Sequence, residues 1–157
     1  MELQIIRTRH PPEAYLEQLA DLLQSDIPAV TLEDLRRRLE LLPSEDRFFL
    51  ALDGEALIGY AHLRVSHDLT SDDSVELIDI IVAPEMRRQG VGRRLMTAAE
   101  IWAFQAERAR LMLHAAVVRS EAQAFFSALG YEPSATSQEY IRDLDAARRA
   151  EAPTQPQ

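Results

Sequence analysis

The chain has 157 residues and a mass of 17.8 kDa, the size of one ordinary domain, with a formal charge of −9 and no cysteine. This excludes disulfides, thiolate metal sites and a cysteine nucleophile, and the acidic balance disfavours nucleic acid and anionic lipid as partners. All 17 basic residues are arginine, so the chain can offer neither a Schiff-base lysine nor the lysine of a P-loop.

No apolar run approaches the roughly 18 residues of a membrane span, and the first residues lack the basic-then-apolar layout of a secretion signal. A cytoplasmic protein without a membrane partner is expected.

Glu2 to Thr8 alternates Leu3 and Ile5 with polar neighbours and reads as a strand, punctuated by Pro11-Pro12. Glu13 to Gln24 carries a helical stripe at Tyr15, Leu16, Leu19, Leu22 and Leu23. Thr31 reads as an N-cap with Asp34 three residues on, ahead of a second stripe at Leu32, Leu35, Leu39 and Leu42. The Arg36-Arg37-Arg38 run lies among Glu33, Asp34 and Glu40, and pairing along the helix accounts for it.

Two apolar runs, Arg47 to Leu52 and Ala56 to Val65, flank Asp53-Gly54 and predict a hairpin. After a polar loop, Val75 to Ala83 is almost wholly apolar and predicts a central strand buried on both faces. A helix is expected over Gly92 to Arg108, a buried strand over Leu111 to Val118, a helix over Glu121 to Leu129 ending at Gly130, and a last strand over Thr136 to Leu144.

The expected fold is therefore α/β in the mixed α+β sense, a central sheet of about six to seven strands flanked by about four helices. A single domain is expected over residues 1–145, with a frayed, disordered tail over 146–157.

One segment carries a chemical signal. A buried strand runs through Ile80-Ile81-Val82 and Pro84 into a turn, Arg87-Arg88-Gln89-Gly90, and then into a helix starting Val91-Gly92-Arg93-Arg94. The first amides of a helix have no intrahelical acceptor and carry partial positive charge, and glycine leaves room for an anion to reach them. Four arginines within eight residues add attraction for phosphate, so the pattern suits a pyrophosphate cradle.

Arg-x-x-Gly-x-Gly after such a strand, with Arg87, Gly90 and Gly92 in its fixed places, resembles the acyl-CoA-binding motif of the GCN5-related N-acetyltransferases. Ala122, Phe125-Phe126 and Gly130-Tyr131 are similar to that family's downstream pattern. The stretch from His67-Asp68 to Ser74 and the strand after it is nearest to aminoglycoside 6′-type members.

The resemblance implies an N-acetyltransferase that uses acetyl-CoA and passes its acetyl group directly to a primary amine of a small, cationic substrate. It implies that amides from Arg88 through Arg93, thus Gln89, Gly90, Val91 and Gly92 among them, hold the CoA pyrophosphate. Backbone groups of Ile80, Ile81 and Val82 would pair with the pantetheine arm, and an amide near Ile81 would polarise the thioester carbonyl. Phe126 would line the cofactor. Members commonly dimerise, so a homodimer is an expectation of the same kind.

Two acids lie on the strand, Glu76 and Asp79. Strand parity sends residues three apart to opposite faces unless a bulge intervenes. A carboxylate on an apolar strand suits a general base; by family position Glu76 matches the histone-acetylating members and Asp79 the amino-sugar-acetylating ones, with Glu76 preferred. Two departures stand out. The family's usual tyrosine, which protonates the leaving thiolate, is replaced by Phe126, with Tyr140 or water as substitutes, and Arg119 replaces its usual asparagine. These keep a non-catalytic acyl-CoA sensor open as an alternative, beside an enzyme acting on a protein amine.

The histidines His10, His62, His67 and His114 show no metal-ligand spacing and read as surface or satisfied core, so no metal is expected. Asp68, Asp72 and Asp73 read as a solvated turn.

Overall fold

The computed structural model describes residues 1–70, 73–114, 120–134 and 138–151. The chain divides into two compact units, Met1–Arg119 and Ser120–Gln157.

The first unit is built on a five-stranded sheet in the order β1-β2-β3-β4-β5, with β1 (Leu3–Thr8), β2 (Arg47–Asp53), β3 (Ala56–Val65), β4 (Ser74–Val82) and β5 (Arg110–Leu113). The first four pair antiparallel and β5 pairs parallel to β4, so only the last connection needs a helical crossover. The expected Asp-Gly hairpin joins β2 to β3, with Asp53 opposite Ala56 and Gly54 at φ 62°.

Helices α1 (Glu13–Gln24) and α2 (Leu32–Leu41) cover one face of the sheet. Leu16, Leu19, Leu35 and Leu39 pack there on Phe48, Leu50, Tyr60 and Ile81 in one apolar cluster. Thr31 and Asp34 complete a reciprocal capping box at the start of α2. Arg37 pairs with Asp34 within the helix as expected, whereas Arg36 reaches across to Glu13 of α1. On the other face lies α3 (Val91–Gln105), where Trp102 meets Phe49 edge-on at 6.1 Å and Leu95 is fully buried. A single 3-10 turn, Pro84–Met86, precedes it.

The second unit contains α4 (Ser120–Ala128) and α5 (Leu144–Glu151). Gly130, at φ 96°, ends α4 as expected, with the Tyr131 N–H returning to the Phe126 carbonyl at 3.0 Å.

Several expectations need correction. Among the described residues the sheet has five strands, not six to seven, and five α-helices stand where about four were expected. Residues 138–143 run without regular structure, with Tyr140 and Ile141 exposed, so their weak alternation did not make a strand; Thr136 and Ser137 lie outside the described residues. The strand expected from Leu111 is observed over Arg110–Leu113, with alternate residues exposed rather than buried on both faces; residues 115–118 lie outside the described residues. The second half of β4 is likewise half-exposed; among the described residues it pairs with β3 alone.

Candidate active site

Pairing of β4 with β5 runs only from Ser74 opposite Arg110 to Leu77 opposite Leu113. Beyond Leu77, among the described residues, β4 has a neighbour on one side only, β3. The Ala83 N–H donates to Ile58 of β3 at 2.8 Å, which sets the phase of the ladder. Strand alternation then turns the peptide groups of Ile81 and Asp79 towards β3, and those of Ile80 and Val82 towards the open edge. An apolar strand whose outward backbone groups lack a strand partner is a place where an extended amide-bearing chain can add as a further strand.

That edge leads directly into the turn. Arg88 at φ 62° and Gly90 at φ 83° are both left-handed, a conformation that costs a non-glycine residue about 1 kcal/mol or more. A Cβ on Gly90 would meet nothing within 4 Å, so the glycine is there for its backbone conformation and faces open space. Gly90 caps α3 without a side-chain hydrogen bond, and the first turn of α3 holds no acid, whereas α1, α2, α4 and α5 each carry at least one. Arginines at the positive end of a helix dipole are unfavourable unless an anion joins them.

Of the four arginines, Arg87 donates its Nε to the Val82 carbonyl at 3.2 Å and Arg94 reaches the Leu3 carbonyl at 3.5 Å. Arg88 and Arg93 are exposed. Attraction for an anion therefore rests on Arg88, Arg93 and the amides of Val91 and Gly92, with Gln89 held loosely to the Glu85 carbonyl at 3.5 Å.

Glu76 and Asp79 occupy one face of the sheet, not the two that simple parity gives. Asp79 sits opposite His62 and Leu77 opposite Leu63, leaving Ile78 as an extra residue that shifts the phase. Glu76, opposite Arg64, is half-buried and lies 3.6 Å from His114 Nδ1. Asp79 accepts the hydroxyl of Tyr60 at 2.5 Å. Burial and the adjacent carboxylate hold that phenol far above its ordinary pKa.

Beside this pair lies a buried ionic group: His62, read from the sequence as surface or satisfied core, sits with Asp46 and Arg64, which the sequence did not single out. Asp46, 1% exposed, accepts Arg64 Nε at 3.1 Å and Nη2 at 3.0 Å, and lies 2.7 Å from His62 Nε2. Burial lowers the pKa of His62 against the opposing pull of Asp46. The available signal was the alternation Tyr60, His62, Arg64, which puts three polar side chains on one face of β3.

The structure thus brings Glu76, Ile80, Ile81, Val82 and the whole turn from Arg87 to Arg93 onto one continuous strand, turn and helix start. Phe126 belongs to the second unit, on α4, where its ring meets Phe125 at 5.0 Å and Tyr131 at 5.8 Å, both edge-on. Among the described residues, no three His, Cys, Asp or Glu side chains form a metal-holding group, and no helix is long and apolar enough to cross a membrane.

The fold has close counterparts. An aminoglycoside N-acetyltransferase, AAC(6′)-Iy, solved with a CoA-linked acetylneamine analogue, superposes with a TM-score of 0.79 at 21% identity, covering 91% of this chain and 99% of that one. A mycothiol acetyltransferase of Rothia mucilaginosa is 32% identical over 132 residues, 81% of this chain and 36% of the relative. Another from Rhodococcus erythropolis is 38% identical over 52 residues, 33% of this chain and 16% of the relative. The chain therefore spans little more than a third of the longer-matching curated relative and less of the other. The profile of the acetyltransferase (GNAT) family matches residues 12–131, from α1 through the open edge of β4 and the bare start of α3 to the close of α4, and the chain belongs to that family.

Proposed function

We propose that the protein is an acetyl-CoA-dependent N-acetyltransferase acting on a primary amine of a small, cationic molecule. The observation that carries this reading is the edge of β4 beyond Leu77, unpaired among the described residues, running into the acid-free N-terminus of α3. The residues present suit the cosubstrate: amides of Val91, Gly92 and Arg93, with Arg88 and the turn through Gly90, would hold the pyrophosphate. The outward peptide groups of Ile80 and Val82 would pair with the pantetheine arm. When bound, acetyl-CoA supplies a thioester whose acyl carbon is open to attack by a neutral amine.

Ile80 is the residue next to Ile81 that turns its amide to the open edge, and so suits the donor to the thioester carbonyl. Glu76 is the carboxylate that meets the acceptor's ammonium. It is half-buried on the face it shares with Asp79, and Asp79 already accepts from Tyr60. Two carboxylates on one face favour a cationic acceptor over an anionic one. The mycothiol and aminoglycoside acetyltransferases among the relatives support a small molecule over a protein as acceptor.

Calorimetry with acetyl-CoA, followed by thiol release against a panel of amines, tests this. Binding with amine-dependent release is expected, and Glu76→Gln should lower release by about 100-fold while leaving acetyl-CoA affinity unchanged. A second reading, an acyl-CoA sensor, draws on Phe126, which carries no hydroxyl at the sequence position where the family resemblance implies a proton-donating tyrosine. It predicts binding without amine-dependent release in the unmutated protein.

A further inference from the structure

Nothing in the transfer as described uses His62, yet its surroundings are those of a working imidazole. The ring is 8% exposed and stacks on Phe48 with centroids 4.4 Å apart. Asp46 Oδ2 accepts from Arg64 Nη2 at 3.0 Å and lies 2.7 Å from His62 Nε2, so the carboxylate oxygen is the acceptor and Nε2 the donor. That bond fixes the Nε2–H tautomer and leaves the lone pair on Nδ1.

No donor among the described residues reaches Nδ1. No fully enclosed side-chain nitrogen or oxygen there lacks a partner either. Nδ1 is therefore not fully enclosed, and the ring lies on the face that carries Glu76 and Asp79, with Asp79 directly across the β3–β4 ladder.

We propose that His62 is the base of the reaction, taking the acceptor amine's proton on Nδ1 while Asp46 holds the tautomer and Glu76 and Asp79 hold the cation. This deepens the acetyl-transfer reading and rests on it. The ammonium N–H bond breaks and its proton goes to Nδ1. The freed lone pair forms the N–C bond to the acyl carbon as the C–S bond breaks, and the electron pair leaves on sulfur. The new amide nitrogen loses its extra proton to the departing thiolate, and His62 returns its own proton to water.

Asp46, hydrogen-bonded behind the ring, favours the imidazolium that forms when His62 takes the proton of an alkylammonium. Glu76 is then the anchor of the amine. The charged and titratable groups facing the ring are Asp46 from the turn before β2, Arg64 and Tyr60 from β3, and Asp79 from β4; β2 contributes only the Phe48 ring.

The test uses the full chain. Acetyl transfer to the amine panel is measured from pH 5 to 9 for the wild type and His62→Gln, with acetyl-CoA affinity by calorimetry and the His62 ring nitrogens followed by NMR in the wild type. The expected result is a kcat lower by about 100-fold or more in His62→Gln, with acetyl-CoA affinity changed less than about twofold. The acid limb of wild-type kcat/KM should follow the ring's own titration, and the neutral ring should be Nε2–H.

A variant with wild-type kcat, a neutral ring protonated on Nδ1, or an acid limb that ignores the ring's titration overturns the proposal. If His62→Gln does not fold, the tautomer and the match of titration to acid limb decide it in the wild type. A wild type that binds acetyl-CoA but acetylates no amine overturns the acetyl-transfer reading itself, and the base falls with it.

Discussion

Glu76 and Asp79 are three residues apart on β4 yet stand on the same face of the sheet, opposite Arg64 and His62 of β3. The extra residue at Ile78 is the cause. It resets the side-chain phase just past Leu77, where pairing with β5 ends among the described residues, so one irregularity coincides with both the clustering of the acids and the opening of that edge. A strand without the bulge would send one carboxylate to the α3 face, where Leu95 and Met96 are fully buried.

The turn gives the first prediction. Gly90→Ala introduces no clash, because the space beyond the Cα is open, but it forces alanine to φ 83°. A loss of about 1 kcal/mol in stability is expected. Acetyl-CoA affinity should fall as well, because the loop relaxes away from the amides of Val91 and Gly92. Urea unfolding and calorimetry on the same variant check the two effects.

Gly59 behaves differently. A Cβ there would come 3.0 Å from the Ile81 carbonyl, 3.3 Å from Val91 and 3.4 Å from Leu95, on the face packed by α3. The first of these is backbone and cannot swing aside. Gly59→Ala should therefore cost about 1–3 kcal/mol by overpacking, read as a lower urea midpoint with unchanged m-value.

His62 makes stability depend on pH in a definite direction. Burial lowers its folded-state pKa below the roughly 6.5 of an unfolded histidine. Between those two values the unfolded chain binds more protons than the folded one, so stability rises with pH there and is lost as pH falls below about 6.5. The unfolding free energy of the wild type should decline across that window, and the decline should be shallower in His62→Gln.

Asp46 is enclosed, and Arg64 is its charged partner. Arg64→Ala leaves the carboxylate facing a neutral imidazole and should destabilise by about 2 kcal/mol, less than for a fully buried pair because Arg64 is partly solvated. Adding Asp46→Asn should restore part of the loss. Additive effects in that double-mutant cycle would show that the ion pair contributes nothing of its own.

The end of α3 offers a stabilising change. Glu107 sits at φ 61°, with its N–H bonded to the Phe104 carbonyl and the Arg108 N–H bonded to the Ala103 carbonyl, both at 3.0 Å. This is the position where glycine normally closes a helix. Glu107→Gly should raise the melting temperature, with a gain of about 0.5–1 kcal/mol after the added freedom of the unfolded chain is subtracted.

Local features of the sequence were legible because their causes are local. The Thr31–Asp34 box, the Asp53-Gly54 hairpin, the stop at Gly130 and the Arg87 to Gly92 turn each follow from conformational demands or caps spanning a few residues. The positions of Ile80, Val82, Gly90 and Arg93 along one strand, turn and helix were readable for the same reason.

The weak alternation of residues 138–143 misled, since a period of two favours a strand only where a neighbouring strand and a core face accept it. The shared face of Glu76 and Asp79, the end of the described β4–β5 pairing at Leu77 and the enclosure of Asp46 by Arg64 and His62 depended on cross-strand register. Register is fixed by which side chains the packed sheet can bury, a condition set between segments far apart in the chain, so only the tertiary structure could decide it.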